Sequence, residues 1–254
     1  MIPVFVISLS DSYQRRATIS AKLDELGIPF DFFPAIDGRH GLPPECESQI
    51  DREIAIRTGS ILTDAEFACA LSHTKVYQEI VRENIDWALI LEDDAIPMSA
   101  LLPYLAEKHY EDASLTQLGV SLRVAYVNWS GEKRIFGPHK SYLRAPRLKL
   151  TGAYGYIISQ GGAKHFVDTA MPITSVADWP DGIEGLVSRR ECRVVIPNLI
   201  RHQDQVASVI GKAGRSENKR RLFGIYIPPF RKMVDSYSRS LRKPFFKRVR
   251  VSDY

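Results

Sequence analysis

Cysteine is scarce in this chain, and it has no long apolar run. The 254 residues include three cysteines, Cys46, Cys69 and Cys192, and no C-x-x-C pair. An odd number of widely spaced cysteines argues against a disulfide framework, so we expect a reducing, cytoplasmic compartment. No apolar stretch approaches the roughly 18–20 residues that span a bilayer, so the sequence predicts no transmembrane helix.

Three further absences narrow the class of protein. The sequence has no G-x-x-x-x-G-K-S/T motif and no G-x-G-x-x-G after a strand, which argues against a P-loop nucleotidase and a Rossmann dehydrogenase. It has no internal repeat. Residues 1–8 carry no basic segment before their short apolar run, so we expect a first strand there and not a signal peptide.

The composition is that of a globular α/β protein with an uneven charge distribution. Apolar residues make up 44% of the chain and charged residues 25%. The net charge is +4, but residues 212–254 hold thirteen Lys/Arg and three Asp/Glu, a balance of +10 that leaves −6 on the rest. We therefore predict a domain over 1–211 and a basic extension over 212–254, which includes aromatic residues.

The stretch from Trp87 to Asp94, W-A-L-I-L-E-D-D, is the most informative one. Five apolar residues stop at Glu92, Asp93 and Asp94, which predicts a strand buried on both faces that ends in three carboxylates. Ligands of open α/β sheets bind at the carboxyl ends of strands, and hard divalent cations prefer carboxylate oxygens. This pattern favours a metal–phosphate site, although a solvated acidic turn is the alternative.

The residues before this stretch predict two strands and a helix. Strands are expected over residues 3–9 and 30–35, with a helix over 12–26 between them. Arg15 and Arg16 fall in the first turns of that helix, where guanidinium groups can hold phosphates, although a charged helix face is the alternative. Asp37 follows the second strand, where an acid can bind ribose hydroxyls or simply form an Asp-Gly turn.

A longer helix is predicted to begin at Thr63. Thr63 and Glu66 have capping-box spacing, and the apolar residues that follow give a helix to about residue 84. Residues 39–62 before it are irregular, with one short helix. Glu66, Cys69 and His73 share a second stripe, where lining a pocket is a better interpretation than binding a metal.

The second half of the chain gives a mixed pattern. We predict a helix near 97–109, a strand over 118–127 and a mobile hairpin or loop over 131–149 that would serve as a lid. Residues 151–159 form a Gly-rich strand, and a helix over 162–170 follows. Another helix begins at Asp178 and a last strand covers 193–197. Alternation in the first half predicts an α/β domain with a nucleotide half and an acceptor half.

Taken together, these segments resemble the family 25 glycosyltransferases of lipooligosaccharide synthesis. The resemblance covers roughly residues 3–211, and Ala65 and Ala68 depart from it because glycines are expected there. The matching segments are Val6-Ile7-Ser8-Leu9, Arg15-Arg16, Phe33-Pro34-Ala35-Ile36-Asp37-Gly38, Thr63 to His73, Leu91-Glu92-Asp93-Asp94, and Gly152 with Gly155-Tyr156-Ile157-Ile158-Ser159.

The resemblance implies a GT-A-like domain with a mixed, mostly parallel sheet flanked by helices. It also implies a UDP-sugar donor, Mn²⁺ or Mg²⁺, and β-linked transfer of a hexose, galactose or glucose, to a lipooligosaccharide acceptor. The residues that it assigns to the nucleotide sugar are Ile7, Ser8, Leu9, Arg15, Arg16, Asp37, Ser72, His73, Glu92 and Asp93. The acceptor would meet Gly152, Tyr154 and Gly155, and the metal ligands would be Glu92, Asp94 and His202.

An inverting transfer needs one carboxylate to deprotonate the incoming hydroxyl. Asp178 is the preferred candidate because it follows the Gly-rich strand, and Asp181 is the second. The alternative for both is an ordinary acid at a helix N-terminus. The alternative to a metal-ligand role for His202 is an ordinary surface histidine.

The basic extension interleaves aromatic and cationic residues, which predicts contact with the anionic inner face of the inner membrane. A solvated tail is the alternative, and no nucleic-acid partner is expected because the acidic body offers no continuous basic groove. Two other functions stay open: a metal-dependent nucleotidyl- or phosphotransferase, and an inactive glycan- or membrane-binding module.

Overall fold

A nine-stranded mixed sheet forms the centre of the molecule in a computed structural model that describes residues 1–121, 124–146, 151–203 and 246–251. The strands are β1 (Val4–Ser8), β2 (Asp31–Pro34), β3 (Trp87–Glu92), β4 (Ala95–Pro97), β5 (Leu115–Gln117), β6 (Val124–Arg134), β7 (Lys140–Arg144), β8 (Gly155–Ser159), β9 (Cys192–Ile196), β10 (Ile200–His202) and β11 (Phe246–Arg250). The helices are α1 (Tyr13–Glu25), α2 (Pro44–Glu47), α3 (Arg52–Arg57), α4 (Asp64–Arg82), α5 (Leu101–Ala106), α6 (Gln160–Thr169) and α7 (Ile183–Ser188).

The order of the large sheet is β11-β6-β7-β9-β5-β8-β3-β1-β2, and β10 pairs with β4 in a separate two-stranded sheet. The pairs β1–β2, β1–β3 and β5–β9 are parallel, and the other pairs of the large sheet are antiparallel. Six of its nine described strands, β1, β2, β3, β5, β6 and β9, therefore run in one direction. This mixed sheet with flanking helices confirms the predicted fold class.

Strand β3 is buried on both faces, as its sequence predicts. Leu89 and Leu91 pack into a cluster with residues of α1 and α5, whereas Ala88 and Ile90 pack on the opposite face with α4 and α6. All four side chains have no exposed surface. The acidic triplet that follows is thus anchored to the interior of the sheet.

Helix α4 begins with the predicted capping box. The Thr63 hydroxyl accepts from the Glu66 backbone N–H, and the Glu66 carboxylate accepts from the Thr63 backbone N–H. Because both bonds satisfy donors that the first helical turn leaves open, the start of α4 is fixed. Among the described helices, none is long and apolar enough to cross a membrane.

The strand predicted over 118–127 is wrong in its limits. Strand β5 ends at Gln117 and β6 begins at Val124. Leu118 still bonds β8, since its N–H donates to the Gly155 carbonyl oxygen, but the side-chain amide of Asn198 pairs with both backbone groups of Val120. At Val120 a side chain therefore takes the place of a neighbouring strand, which the alternating apolar residues alone could not reveal.

The hairpin predicted over 131–149 is present, but it belongs to the sheet and is not a lid. Strands β6 and β7 pair antiparallel, and β7 also pairs with β9. Tyr142 and Leu143 of β7 are buried, which holds the hairpin in place. Residues 147–150 lie outside the described residues.

Two helix boundaries and one loop also differ from the predictions. The helix predicted from Asp178 begins at Ile183, because Gly182 has a positive φ of 87° and the Asp178 carboxylate bonds elsewhere. The helix expected near 97–109 is limited to α5, and residues 39–62 hold two short helices, not one.

The predicted domain division at 211/212 stays a prediction, because residues 204–245 lie outside the described residues. Of the residues after this division, strand β11 pairs with β6 of the large sheet.

Candidate active site

A cavity of about 760 Å³ opens at the carboxyl ends of β1 and β3. Helix α4, the segments 151–154 and 176–178, and residues 197–202 complete its walls. The predicted residues that line it are Ile7, Ser8, Leu9, Arg15, Asp37, Ser72, His73, Glu92, Asp93, Asp94, Gly152, Tyr154, Asp178 and His202. The acidic triplet therefore faces a pocket that also holds Arg15 and Asp178, and not an open surface.

Asp93 and Asp94 share one cation, Arg15. The Arg15 guanidinium contacts Asp93 at 2.8 Å and also contacts Asp94, and the Ser8 hydroxyl donates to Asp93 at 2.7 Å. Burial raises the pKa of Asp93 to about 6, although Arg15 and Ser8 both oppose this shift. Arg15 was predicted to bind a phosphate. In the structure its guanidinium already contacts two carboxylates, so a phosphate would have to bind it alongside them.

Asp94 also meets His202, because β10 pairs with β4. The pairing puts His202 opposite Ala95, and the Gln203 N–H donates to the Asp94 carbonyl oxygen. His202 Nε2 then lies 3.3 Å from Asp94 Oδ2. Asp94 Oδ1 is buried and accepts no hydrogen bond from the described residues.

Glu92 points away from this pair. Its Oε1 atom lies 3.2 Å from His73 Nε2 and 4.0 Å from Cys69 Sγ. The three predicted metal ligands are therefore divided: Asp94 and His202 are adjacent, whereas Glu92 contacts α4. Glu92 continues the face of β3 that packs against α4, as Ala88 and Ile90 do, whereas Asp94 lies in the turn that follows the strand.

Behind Glu92, a chain of hydrogen bonds leads into the core. His73 Nδ1 lies 2.7 Å from the Tyr156 hydroxyl, which lies 2.9 Å from the Tyr77 hydroxyl. Burial raises the pKa of both tyrosines, so both are neutral phenols. If Nδ1 accepts from Tyr156 and Nε2–H donates to Glu92, each group in this chain has a partner.

The two candidate bases have different surroundings. Asp178 Oδ1 accepts from the backbone N–H groups of Gly152 at 3.0 Å and Ala153 at 2.6 Å, and Asp178 lines the cavity. Asp181 Oδ2 accepts from the Thr174 hydroxyl at 2.6 Å and is not among the described lining residues. Asp178 is therefore a carboxylate of the cavity, whereas Asp181 stabilises a loop.

Arg16 and Gly155 are likewise absent from the described lining of the cavity. The Arg16 guanidinium lies 3.8 Å from the centre of the Phe32 ring, a cation–π contact. A Cβ atom on Gly155 would lie 2.6 Å from the Ile200 side chain, so glycine here allows two segments to pack closely. Packing explains both residues better than ligand contact does.

Two residues that support the pocket were not identified from the sequence: Arg39 lines the cavity, whereas Gln117 lies behind its described lining and holds Gly152. Arg39 forms a two-pronged contact with Asp37 and also reaches Asp11, and it lowers the pKa of Asp37 to about 2. Gln117 is buried and donates to the Gly152 carbonyl oxygen at 2.8 Å. Arg39 follows Asp37 by two residues, which is a usable signal, whereas nothing in the sequence marks Gln117.

Comparison with known proteins gives consistent matches. Residues 1–179 match the family described as "Glycosyltransferase family 25 (LPS biosynthesis protein)". The chain is 31% identical over 179 residues to "Lipooligosaccharide biosynthesis protein lic2B" of Haemophilus influenzae, covering 67% of this chain and 64% of that protein. It is 25% identical over 191 residues to "Lacto-N-neotetraose biosynthesis glycosyltransferase LgtE" of Neisseria meningitidis serogroup B, covering 72% and 65%.

These relatives are therefore matched over slightly less than two thirds of their own lengths. Among solved structures, a glycosyltransferase involved in glycosylation of the major capsid of PBCV-1 superposes with a TM-score of 0.42 at 11% identity, covering 85% of this chain and 97% of that one.

Proposed function

Because the chain belongs to glycosyltransferase family 25, we propose that it is an inverting, metal-dependent enzyme that transfers a hexose from a UDP-sugar to a lipooligosaccharide acceptor. One observation carries the proposal: a single cavity brings together Asp94, His202 and Asp178, which come from three separate parts of the chain.

The Mn²⁺ or Mg²⁺ that the family implies suits Asp94 and His202. A buried carboxylate oxygen without a hydrogen bond from the described residues, next to an imidazole, is a donor set that Mn²⁺ accepts. Such an ion, when bound, would neutralise charge on the departing UDP. Glu92, which contacts His73, is the least suitable of the three predicted ligands.

The protein groups around this pair would orient the donor. Arg15 contacts both Asp93 and Asp94, so its guanidinium lies where a diphosphate would meet the carboxylates. Ser8 fixes the far oxygen of Asp93. The charged groups are thus held by the first turn of α1, the end of β1 and the turn that follows β3.

Asp178 is the residue that we assign as the base. Both of its backbone bonds use Oδ1, which leaves Oδ2 to accept the proton of the attacking hydroxyl. Its position beside Gly152 would also place an acceptor sugar against the 151–154 backbone. Asp181, which bonds Thr174, would have no part in the reaction.

Release of UDP from a panel of UDP-sugars, with Mn²⁺ or with EDTA, tests the proposal. We expect turnover with a UDP-hexose that EDTA abolishes, and a loss of about 10²–10³-fold in kcat for Asp94→Asn. The matched control is Asp24→Asn, an exposed acid of α1, which should keep full activity.

Three outcomes would contradict this function. Pyrophosphate or phosphate as the product would indicate the nucleotidyl- or phosphotransferase alternative. Glycan binding with no turnover of any UDP-sugar would indicate an inactive binding module. Full turnover in EDTA would exclude the metal.

The basic extension supports a second part of the proposal, that the enzyme works at the inner face of the inner membrane. Thirteen Lys/Arg against three Asp/Glu in residues 212–254 would attract anionic lipid. We expect the chain to sediment with phosphatidylglycerol vesicles at low salt and to be released at high salt. Equal binding to neutral phosphatidylcholine vesicles would contradict an electrostatic attachment.

A further inference from the structure

We propose that Cys69, His73 and Glu92 form a second cation site at the back of the cavity, one that takes a thiophilic divalent ion such as Zn²⁺. The three ligand atoms, a sulfur, an imidazole nitrogen and a carboxylate oxygen, lie within 4.8 Å of one another. All three residues line the cavity, so an ion has a path to them and an open position toward the ligand. This set differs from the Asp94–His202 pair in both its members and its chemistry.

The spacing fits a tetrahedral ion with little movement. Bonds of about 2.0–2.3 Å to nitrogen, oxygen and sulfur imply separations of roughly 3.3–3.7 Å between ligand atoms. Two of the three separations are 3.2 Å between His73 Nε2 and Glu92 Oε1, and 4.0 Å between Cys69 Sγ and Glu92 Oε1, and the third, between Cys69 and His73, is at most 4.8 Å. A small rotation of the cysteine side chain would close the difference.

The ligands lie on rigid elements. Cys69 and His73 are four residues apart on α4, so they lie on one helix face, the spacing used by helical zinc-binding histidine pairs. Glu92 is the last residue of β3, whose preceding side chains are fully buried. Rigid supports reduce the entropy that ion binding would otherwise cost.

The second ring nitrogen of His73 already has a hydrogen-bond partner, as the second nitrogen of zinc-binding histidines usually does. Its Nδ1 atom bonds the Tyr156 hydroxyl, which bonds Tyr77, and either tyrosine can be the donor in that pair. When Nε2 binds an ion, the other tautomer of His73 can therefore donate Nδ1–H to the Tyr156 hydroxyl, which in turn donates to Tyr77. Such outer partners fix the ring and strengthen the ligand.

Charge also favours an ion here. Glu66, Asp94 and Asp178 line the same cavity as Cys69 and Glu92, so negative charge accumulates around the three ligand atoms. A divalent ion would reduce the repulsion among these carboxylates, and cysteine would bind it as the thiolate. Sulfur with imidazole selects Zn²⁺ or Co²⁺ over Mg²⁺.

Titration of the full-length protein with Co²⁺ tests the site, because a thiolate bound to Co²⁺ gives a charge-transfer band in the near ultraviolet. We expect one equivalent to produce this band and Zn²⁺ to remove it. Cys69→Ser should abolish the band, and Tyr156→Phe should weaken Co²⁺ affinity by about 10–100-fold. Cys46→Ser, a buried cysteine of another cluster, should leave it unchanged.

The Asp94→Asn variant keeps this test separate from the proposed function. It should retain the cobalt–thiolate band while losing Mn²⁺-dependent transfer, whereas Cys69→Ser should lose the band whether or not the protein transfers sugar. If Cys69→Ser does not fold, protection of Cys69 in the unaltered chain replaces it. We then expect stoichiometric Zn²⁺ to block alkylation of Cys69 by iodoacetamide, measured by mass spectrometry.

The proposal is overturned if millimolar Co²⁺ gives no thiolate band, if the band persists in Cys69→Ser, or if Zn²⁺ leaves alkylation of Cys69 unchanged.

Discussion

The two walls of the cavity hold their functional groups in opposite ways. On the wall formed by β1, α4 and β3, buried side chains bond one another, as in the chain from Glu92 through His73 to Tyr156. On the wall formed by residues 151–154 and 176–178, side chains hold the backbone: Asp178 and Gln117 bond the N–H and the carbonyl of Gly152. Helices and strands position the first wall. In the second wall, the backbone is positioned by hydrogen bonds from a few side chains.

The largest expected effect concerns the second wall. Asp178→Asn should lower kcat by about 10²–10⁴-fold, since the base is lost, while the amide oxygen still accepts from Gly152 and Ala153. The KM for the donor and the melting temperature should change little. Steady-state kinetics and thermal unfolding measure both.

Asp181→Asn is the matched control, because its amide oxygen can still accept from Thr174. It should keep activity within a few-fold of the unaltered protein. Equal losses in the two variants would mean that both carboxylates only support the loop.

Gly152→Ala tests how tightly the second wall is built. Gly152 has a φ of 123°, and an added Cβ atom would lie 2.8 Å from the Tyr154 ring and 3.0 Å from the Gly119 carbonyl oxygen. Because strain and overlap combine, we expect a loss of about 2–4 kcal/mol in the free energy of unfolding. Gly41→Ala, with a φ of 111° and open space around it, should cost about 1 kcal/mol. Urea unfolding measures the free energy of unfolding of both variants. Equal losses would mean that Tyr154 and the neighbouring backbone move aside to accommodate the added methyl group.

Tyr156→Phe tests the first wall. The substitution removes two hydrogen bonds and leaves buried polar atoms of His73 and Tyr77 without that partner. We expect a loss of about 1–3 kcal/mol in unfolding free energy. Tyr77→Phe removes only the last bond of the chain and should cost less, about 1 kcal/mol. A larger loss of unfolding free energy for Tyr77→Phe than for Tyr156→Phe would contradict this prediction.

The smallest effect lies at the exposed rim of the first wall. Hydrogen bonds from Arg39 lower the pKa of Asp37 from 3.8 to about 2. The folded state therefore binds fewer protons than the unfolded state, and this stabilisation is present above about pH 4 and lost as the pH falls toward 2. The carboxylate is 39% exposed, so salt screens the pair and the contribution should stay below about 1 kcal/mol.

Unfolding by urea between pH 5 and pH 2.5 measures this contribution. The free energy of unfolding should fall more steeply with decreasing pH in the unaltered protein than in Asp37→Asn, and high salt should reduce the difference. Identical pH profiles would show that the Asp37–Arg39 contact adds nothing.

The two walls also differed in how well the sequence predicted them. Strand β3, helix α4 and its capping box follow from apolar periodicity and from local hydrogen bonds between residues three apart, so they were predicted closely. The second wall was predicted poorly: Asp178 was assigned to a helix start, and 118–121 to a strand. Both errors arise where backbone groups bond distant partners, as Val120 does with Asn198.

The sequence by itself determined the position of the acidic triplet, because an apolar run whose last four residues are buried gives way to polar residues where the strand reaches the edge of the sheet. It also determined the family, through motifs that occur in a characteristic order along the chain. Only the tertiary structure decided how the triplet is divided, with Asp93 and Asp94 facing Arg15 and Glu92 facing His73. That division depends on the turn that takes Asp93 and Asp94 off the end of β3, and on contacts between residues up to 108 positions apart, such as Asp94 and His202, which no local pattern encodes.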